Sequence, residues 1–415
     1  MVCKKIFVCL VLLSFLEPAA ALHTGQPLWK RESLTEGFFG INDYLKGSGL
    51  EFGIALTSIY QQNVKGGIST HCARGRFSGS YDIEMLADIE KLLGFEKSSV
   101  YLLVEGGFPD AEGICESSVG SCWGVNADAI GNEAAIVKEL YYRRMFFDDR
   151  VELMIGKMDL TGYFDAIEYA NDEVTQFLNP AFVDNPAIAF PQYSLAIMVT
   201  VDVTDDLYLM GSIADALAEC GETGFGTAFN GKDYYFYILE AGLKNKFDSP
   251  KGPLAGTYRL GVWNDPRPKA NSDLADVGKS YCDDVGFYLS CDQLVFKESS
   301  DREDSQGLGL FFRYGWADAK KNDLTNFWSV GFQYQGLIDG RDEDVLGVGF
   351  GQGFFSDKAH ESYTADYESA FEAYYSVRIA PWFVLSPSIQ YIANPGGDKD
   401  VSDAVILGAR VLVIF

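Results

Sequence analysis

DAVILGARVLVIF, residues 403–415, ends the chain. In a protein with 22% charged residues and a formal charge of -26, a greasy run broken by one arginine and followed by no polar tail needs somewhere apolar to lie. It is too short and too β-branched for a spanning helix, which takes about 20 apolar residues. Read as a strand, it puts Val405, Leu407, Ala409, Val411, Val413 and Phe415 on one face and Gly408 and Arg410 on the other. An apolar outer face with an arginine turned inward is the pattern of a lipid-facing barrel wall. The competing reading is an edge strand buried in a soluble core.

The same period-two alternation recurs along the chain. FWSVGFQYQ (327–335) sets Trp328, Val330, Phe332 and Tyr334 against Ser329, Gly331, Gln333 and Gln335. GLGLFFRYGW sets Leu308, Leu310, Phe312 and Tyr314 against Gly309, Phe311, Arg313 and Gly315, and FEAYYSVRI opposes Phe371, Ala373, Tyr375 and Val377 to Glu372, Tyr374, Ser376 and Arg378. YDIEMLADIE leaves Asp82, Glu84, Asp88 and Glu90 on its polar face. Aromatic residues cap many apolar faces, as in the girdle at a bilayer interface.

Sixteen such segments are expected, near 50–62, 79–91, 99–105, 136–146, 151–158, 191–203, 206–212, 233–247, 256–264, 284–298, 307–316, 327–336, 344–350, 367–379, 383–392 and 404–415. An even number suits an antiparallel barrel with both termini at one end. Connections such as FDDR (147–150), VTDD (203–206) and IAPW (379–382) fall at that end, and the longer ones, around 63–78, 106–135, 159–190, 213–232, 265–283 and 351–366, fall at the other. The fold class is therefore an all-β transmembrane antiparallel barrel of about 16 strands.

Residues 1–21 read as a secretory signal: Lys4 and Lys5, an apolar run from Ile6 to Leu16, then Ala19 and Ala21. Its removal takes the charge one unit further negative. No later run of 18 apolar residues follows, so membrane crossing by helices is excluded. So acidic a body argues against nucleic acid, which clustered Lys and Arg recognise. Residues 22–49 read as a periplasmic segment carrying a short helix capped by Ser33 or Thr35, and residues 50–415 as one barrel domain. Six cysteines remain after the signal, of which Cys115 and Cys122 in GICESSVGSCWG are close enough in sequence to be expected as a disulfide. No zinc pattern or other cofactor site accompanies them.

From residue 51 onward the chain resembles the carbohydrate-selective porins, the OprB-like sugar porins. The resemblance rests on YQQNVKGG (60–67), GKMDLTGYFD (156–165) with FLNPAF (177–182), GTYRLGVWNDPRPK (256–269), GFYLSCDQLVFKE (286–298), SQGLGLFFRYGWA (305–317), GLIDGRDEDVLGVGFGQG (336–353) and IAPWFVLSPSIQYIANPGG (379–397). It implies a sixteen-stranded barrel in the bacterial outer membrane that passes monosaccharides and related small neutral solutes, as a monomer or trimer. The outer-membrane lipid and, through Phe415, the barrel-assembly machinery are the other expected partners.

A barrel this wide needs something to narrow it. Residues 159–190 are expected to fold inward as the constriction, with Tyr163, Phe164, Phe177 and Phe182 as apolar or stacking elements and Asp165 and Asn179 as polar ones. Pore-lining candidates are Asp159, Glu84, Glu368 and Glu372 on the acidic side and Arg143, Lys157, Arg259, Arg313, Arg378 and Arg410 on the basic side, a mixture suited to exchanging a sugar's water hydrogen bonds for protein ones. The bland alternative is that these charges pair as wall-stiffening salt bridges. The rival functions are a general or ion-conducting porin and an outer-membrane barrel hydrolase. None of His23, His71 and His360 falls on an expected strand with a serine at i±2 on the same face, which argues against a Ser/His enzyme.

Overall fold

In the computed structural model the described residues are 27–108, 113–131, 134–232, 234–270, 280–301, 304–358 and 363–415. The segment expected as a signal, with His23 and His360, lies outside them. Sixteen strands close into one antiparallel barrel: β1 Leu50–Gly67, β2 Gly75–Asp88, β3 Ser98–Phe108, β4 Ile136–Phe146, β5 Val151–Met158, β6 Ser194–Asp202, β7 Leu207–Asp215, β8 Tyr235–Phe247, β9 Leu254–Asp265, β10 Asp284–Lys297, β11 Gly307–Ala317, β12 Leu324–Gln335, β13 Val345–Phe355, β14 Tyr367–Ala380, β15 Phe383–Ala393 and β16 Ser402–Ile414. Each pairs with its sequence neighbours, and β16 returns to β1 with Ile59 opposite Arg410. The terminal stretch thus closes the cylinder, so the barrel sheet has no unpaired edge.

Directly opposed residues share a face, so the registers divide the wall cleanly. Leu407, Leu239, Leu260, Val262, Ile197, Ile213 and Val330 point outward and are exposed, which forms an apolar belt. Arg410, Arg313, Ser329, Glu372 and Gln390 point inward and are buried. No helix among the described residues is long and apolar enough to cross a membrane.

The barrel is not empty. Residues 159–193 and 113–131 fold into it and pack dry against the inner wall. Phe177 contacts Phe182, Phe311 and Tyr374 with ring centroids 4.8, 5.7 and 5.0 Å apart. The wall admits the loops through inward glycines: Tyr169 lies over Gly309, Asn185 and Ala187 over Gly315, Phe182 over Gly349 and Trp123 over Gly353. A Cβ at Gly349 would stand 2.8 Å from Phe182, closer than real carbons approach.

Residues 27–49 sit at the rim where β1 begins and β16 ends. Thr35 Oγ1 accepts from the Phe38 amide and Ser33 Oγ from the Gly37 amide, so both expected caps are used, leading through the turn Glu36–Phe39 into a helix at Ile41–Gly47. The Leu34 amide donates to the Ile414 carbonyl and the Trp382 indole to the Leu28 carbonyl, which docks the segment on the rim.

Candidate functional site

The inward charges of the wall hold the inward loops by their backbones. Arg313, 1% exposed, donates from Nη1 to the carbonyls of Phe182 and Asp184 and from Nη2 to those of Asp165 and Ala170, while its Nε lies 2.9 Å from the Asp165 carboxylate. Arg410 donates to the Glu173 and Gln176 carbonyls at 2.7 and 2.9 Å. Glu372 accepts from the amides of Leu178 and Asn179, Glu240 from the Asp165 amide, and Glu368 from the amides of Cys122 and Gly396. Buried peptide groups of an irregular loop need partners, and here the wall supplies them. Burial pushes the Asp165 carboxyl upward, and Arg313 pulls it part of the way back.

The loops leave open a cavity, one of those among the described residues, of about 400 Å3 between residues 159–193 and strands β3 and β4, lined by Lys138, Glu139, Asp159, Thr161, Glu173, Asp184 and Tyr193 among others. Lys138 is its centre. The ammonium lies 3.5 Å from Glu105, 3.7 Å from Asp159 and 3.6 Å from Glu173, and 5.3 Å above the Tyr193 ring. Glu139 accepts from the Asp159 amide, and Tyr163 donates to Glu139 at 3.3 Å. Asp159 also accepts from the amide and hydroxyl of Thr161, which turns the chain inward at the end of β5. Burial, together with the charges of Asp159 and Glu173, pushes the Asp184 carboxyl up to about 7, and burial likewise raises Glu173.

The sequence candidates distribute unevenly around this cavity. Asp159 lines it, and Tyr163 lies behind it on Glu139. Arg143 faces the lumen beside Glu152, and Glu84 is exposed on the inner face of β2. Arg259 pairs with Asp292, while Arg378 lies at the short-turn rim, 3.6 Å from Glu343. Arg313, Arg410, Glu368, Glu372 and Asp165 face inward but grip loop backbone. Phe164 and Phe177 are buried in the dry packing between loop and wall rather than in open lumen. Asp88 caps the short helix Ile89–Leu93 at the rim, and Glu90 accepts from the Lys97 amide there, so neither enters the lumen.

Lys157 departs from its expected face. It is opposite Leu140 and Leu195, both on the outer surface, because Met154, Gly156 and Met158 take the inward positions of β5. Its ammonium is capped by the carbonyls of Cys220 and Glu222 from the loop that drapes over that wall. The Cys115–Cys122 bridge is not formed: both are free thiols, with Cys115 Sγ turned to the Ser121 carbonyl and the Cys122 amide held by Glu368.

Sequence reasoning missed Lys138. A register shift between Leu103 and Val104 places an extra residue in β4, so Lys138 and Glu139 both reach the lumen where strict alternation allows one. The second inward segment was also missed. Val125 O, inside the barrel, accepts from both Gln61 and Gln390.

The profile of the carbohydrate-selective porin, OprB family, matches residues 49–415. Porin B of Pseudomonas aeruginosa is 23% identical over 460 residues, covering 98% of this chain and 97% of that protein. The putative porin QuiX of Acinetobacter baylyi is 20% identical and covers 93% of each. The high-pH structure of Pseudomonas putida OprB superposes with a TM-score of 0.83 at 19% identity, over 94% of this chain and 100% of that one.

Proposed function

The chain belongs to the carbohydrate-selective porin, OprB family, and from that premise we propose that it is a bacterial outer-membrane channel through which monosaccharides and similar small solutes diffuse passively. The family and the fold are those of a channel rather than an enzyme. The single observation that carries the sugar reading is the cavity beside Lys138. It offers a cation, several carboxylates, the Thr161 hydroxyl and the Tyr193 ring within one space of about 400 Å3, the size of a small-ligand site. A sugar's hydroxyls both donate and accept, and its ring faces stack on aromatic ones, so such a lining replaces hydration without a net charge requirement.

Asp159, Tyr163, Arg143, Arg259, Arg378 and Glu84 are proposed as the remaining solute-facing candidates, with residues 159–193 narrowing the lumen. The apolar belt suits the outer-membrane lipid, and Phe415 is proposed as the signal read by the assembly machinery.

Liposomes carrying the refolded protein are expected to swell faster in glucose than in a disaccharide of equal osmolarity. A pore with equal rates for both, or one that conducts ions and passes no sugar, would overturn this reading in favour of a general ion-conducting porin.

A further inference from the structure

We propose that the cavity around Lys138 selects a positively charged solute, a protonated amino sugar, over the neutral sugar of the same shape. This rests on the sugar-channel reading and names the solute class for that site.

Charge balance is the first observation. Glu105, Asp159 and Glu173 surround one ammonium at 3.5 to 3.7 Å, and Glu139 and Asp184 line the same cavity. Two inward arginines that meet the same loop are engaged: Arg313 on the carbonyls of Phe182, Asp184, Asp165 and Ala170, and Arg410 on those of Glu173 and Gln176. Lys138 therefore meets Glu105, Asp159 and Glu173 at ion-pair distance, with Arg313 also acting on Asp184.

The second observation is Asp128, on the inward segment 113–131. It is 1% exposed, and neither carboxylate oxygen has a hydrogen-bond partner within 3.5 Å among the described residues. It sits close enough to Glu173 and Glu105 to feel their charge, and its neighbour Ala127 lines the cavity. A buried carboxyl compensated only by the nearby Ser80 hydroxyl and the charge of Arg410, beside an already acidic pocket, is costly, and an arriving cation relieves that cost. Burial raises Asp128, Glu173 and Asp184 together, and Lys138 lowers the latter two.

Geometry supplies the third. Tyr193 already presents its ring to the Lys138 ammonium at 5.3 Å, so the cavity contains a cation-binding face as well as anionic groups. A second ammonium carried on a sugar finds carboxylates on both sides of the cavity, with the polyol left to the Thr161 hydroxyl and the loop backbone. A narrow lumen lined by one sign of charge concentrates its counter-ion, with rate gains of about 10- to 1000-fold in favourable cases.

The test uses the full refolded channel in liposomes and planar bilayers, with glucosamine, glucose and glucuronate as probes and a KCl gradient across the bilayer. Glucosamine is expected to permeate about tenfold faster than glucose, and glucuronate slowest, with a reversal potential that reports cation preference and shrinks as salt rises. E173Q and D159N are expected to narrow the glucosamine advantage, and K138M to widen it. Equal rates for glucosamine and glucose in the unaltered protein overturn the inference while leaving the sugar reading in place. Cation-selective conductance with no flux of any sugar overturns the sugar reading instead. A variant that fails to show the heat-dependent gel shift of a folded barrel is replaced by the unaltered protein's own probe ranking, which decides the matter without it.

Discussion

Asp184 carries the charge behaviour of the cavity at the scale of one residue. Its carboxyl is pushed up to about 7 by burial and by Asp159 and Glu173, while Arg313 and Lys138 pull the other way. A carboxyl raised above its ordinary value stays protonated, hence neutral, until the pH passes about 7, and above that it adds a negative charge to the cavity. The sign follows directly: cation preference rises with pH across neutrality. Because ionisation is opposed by burial, the folded state binds more protons than the unfolded one between the two values, so stability contributed by this group falls as pH increases through 7. Reversal potentials measured from pH 5.5 to 8.5 in the unaltered channel are expected to climb toward the cation side, and in D184N the slope near neutrality should flatten. A pH-independent potential in the unaltered protein would show that Asp184 does not reach the conducting path. Lys138 teaches the complementary lesson about residues. Alternation assigns one of two neighbouring positions to the lumen, and only the bulge opposite Leu103 brings in both. Sequence carries no mark of that shift. Lys157 was misplaced for the opposite reason, since counting back from Met154 and Met158 would have put it on the outer face.

Elements show where legibility ends. The strands were readable because period two is imposed locally by the pleat and by two solvents, lipid and water; β4 and β5 matched residues 136–146 and 151–158 to the residue. Residues 159–193 have no such period. Their path is fixed by contacts far away in sequence, such as Glu372 to the Leu178 amide across 194 positions, so only their excessive length gave them away. The inward wall charges looked like solute contacts from sequence, yet Arg313 and Arg410 are brackets. This makes a sharp prediction. R313A leaves Asp165 buried without its partner and frees four loop carbonyls, and losing one side of a buried pair costs about 3–5 kcal/mol. The loop should loosen, with larger, noisier single-channel conductance and new proteolytic cuts within 159–193, while R378A at the rim leaves the loop protected. Unchanged conductance and protection in R313A would mean the loop is held elsewhere. G349V attacks the same docking from the wall: the added carbons meet Phe182 and Phe177, an overpacking cost of about 1–3 kcal/mol, and should loosen the loop in the same assay.

The whole molecule divides two solvents by a wall one residue thick. Every outward side chain must suit hydrocarbon and every inward one must suit water, a loop or a neighbouring charge, so a substitution's effect depends on parity before it depends on chemistry. Leu239 is outward in β8, 60% exposed, and lies beside Val262 in the belt, whereas Glu84 is inward in β2 and exposed to the lumen. Lysine at each position tests the division with the same introduced side chain. L239K places an ammonium against lipid, where a charge near the bilayer midplane costs about 2–4 kcal/mol. E84K places it in water, where stability should stay within about 0.5 kcal/mol while cation preference falls, because one negative lumen charge becomes positive. Urea unfolding of the two variants refolded into vesicles, read by tryptophan fluorescence, should therefore lower the midpoint for L239K alone. The reversal potential should move for E84K alone. If both variants lose stability equally, the inner face of β2 is not wet, and the lumen is closed at that height by packed side chains rather than open to solute.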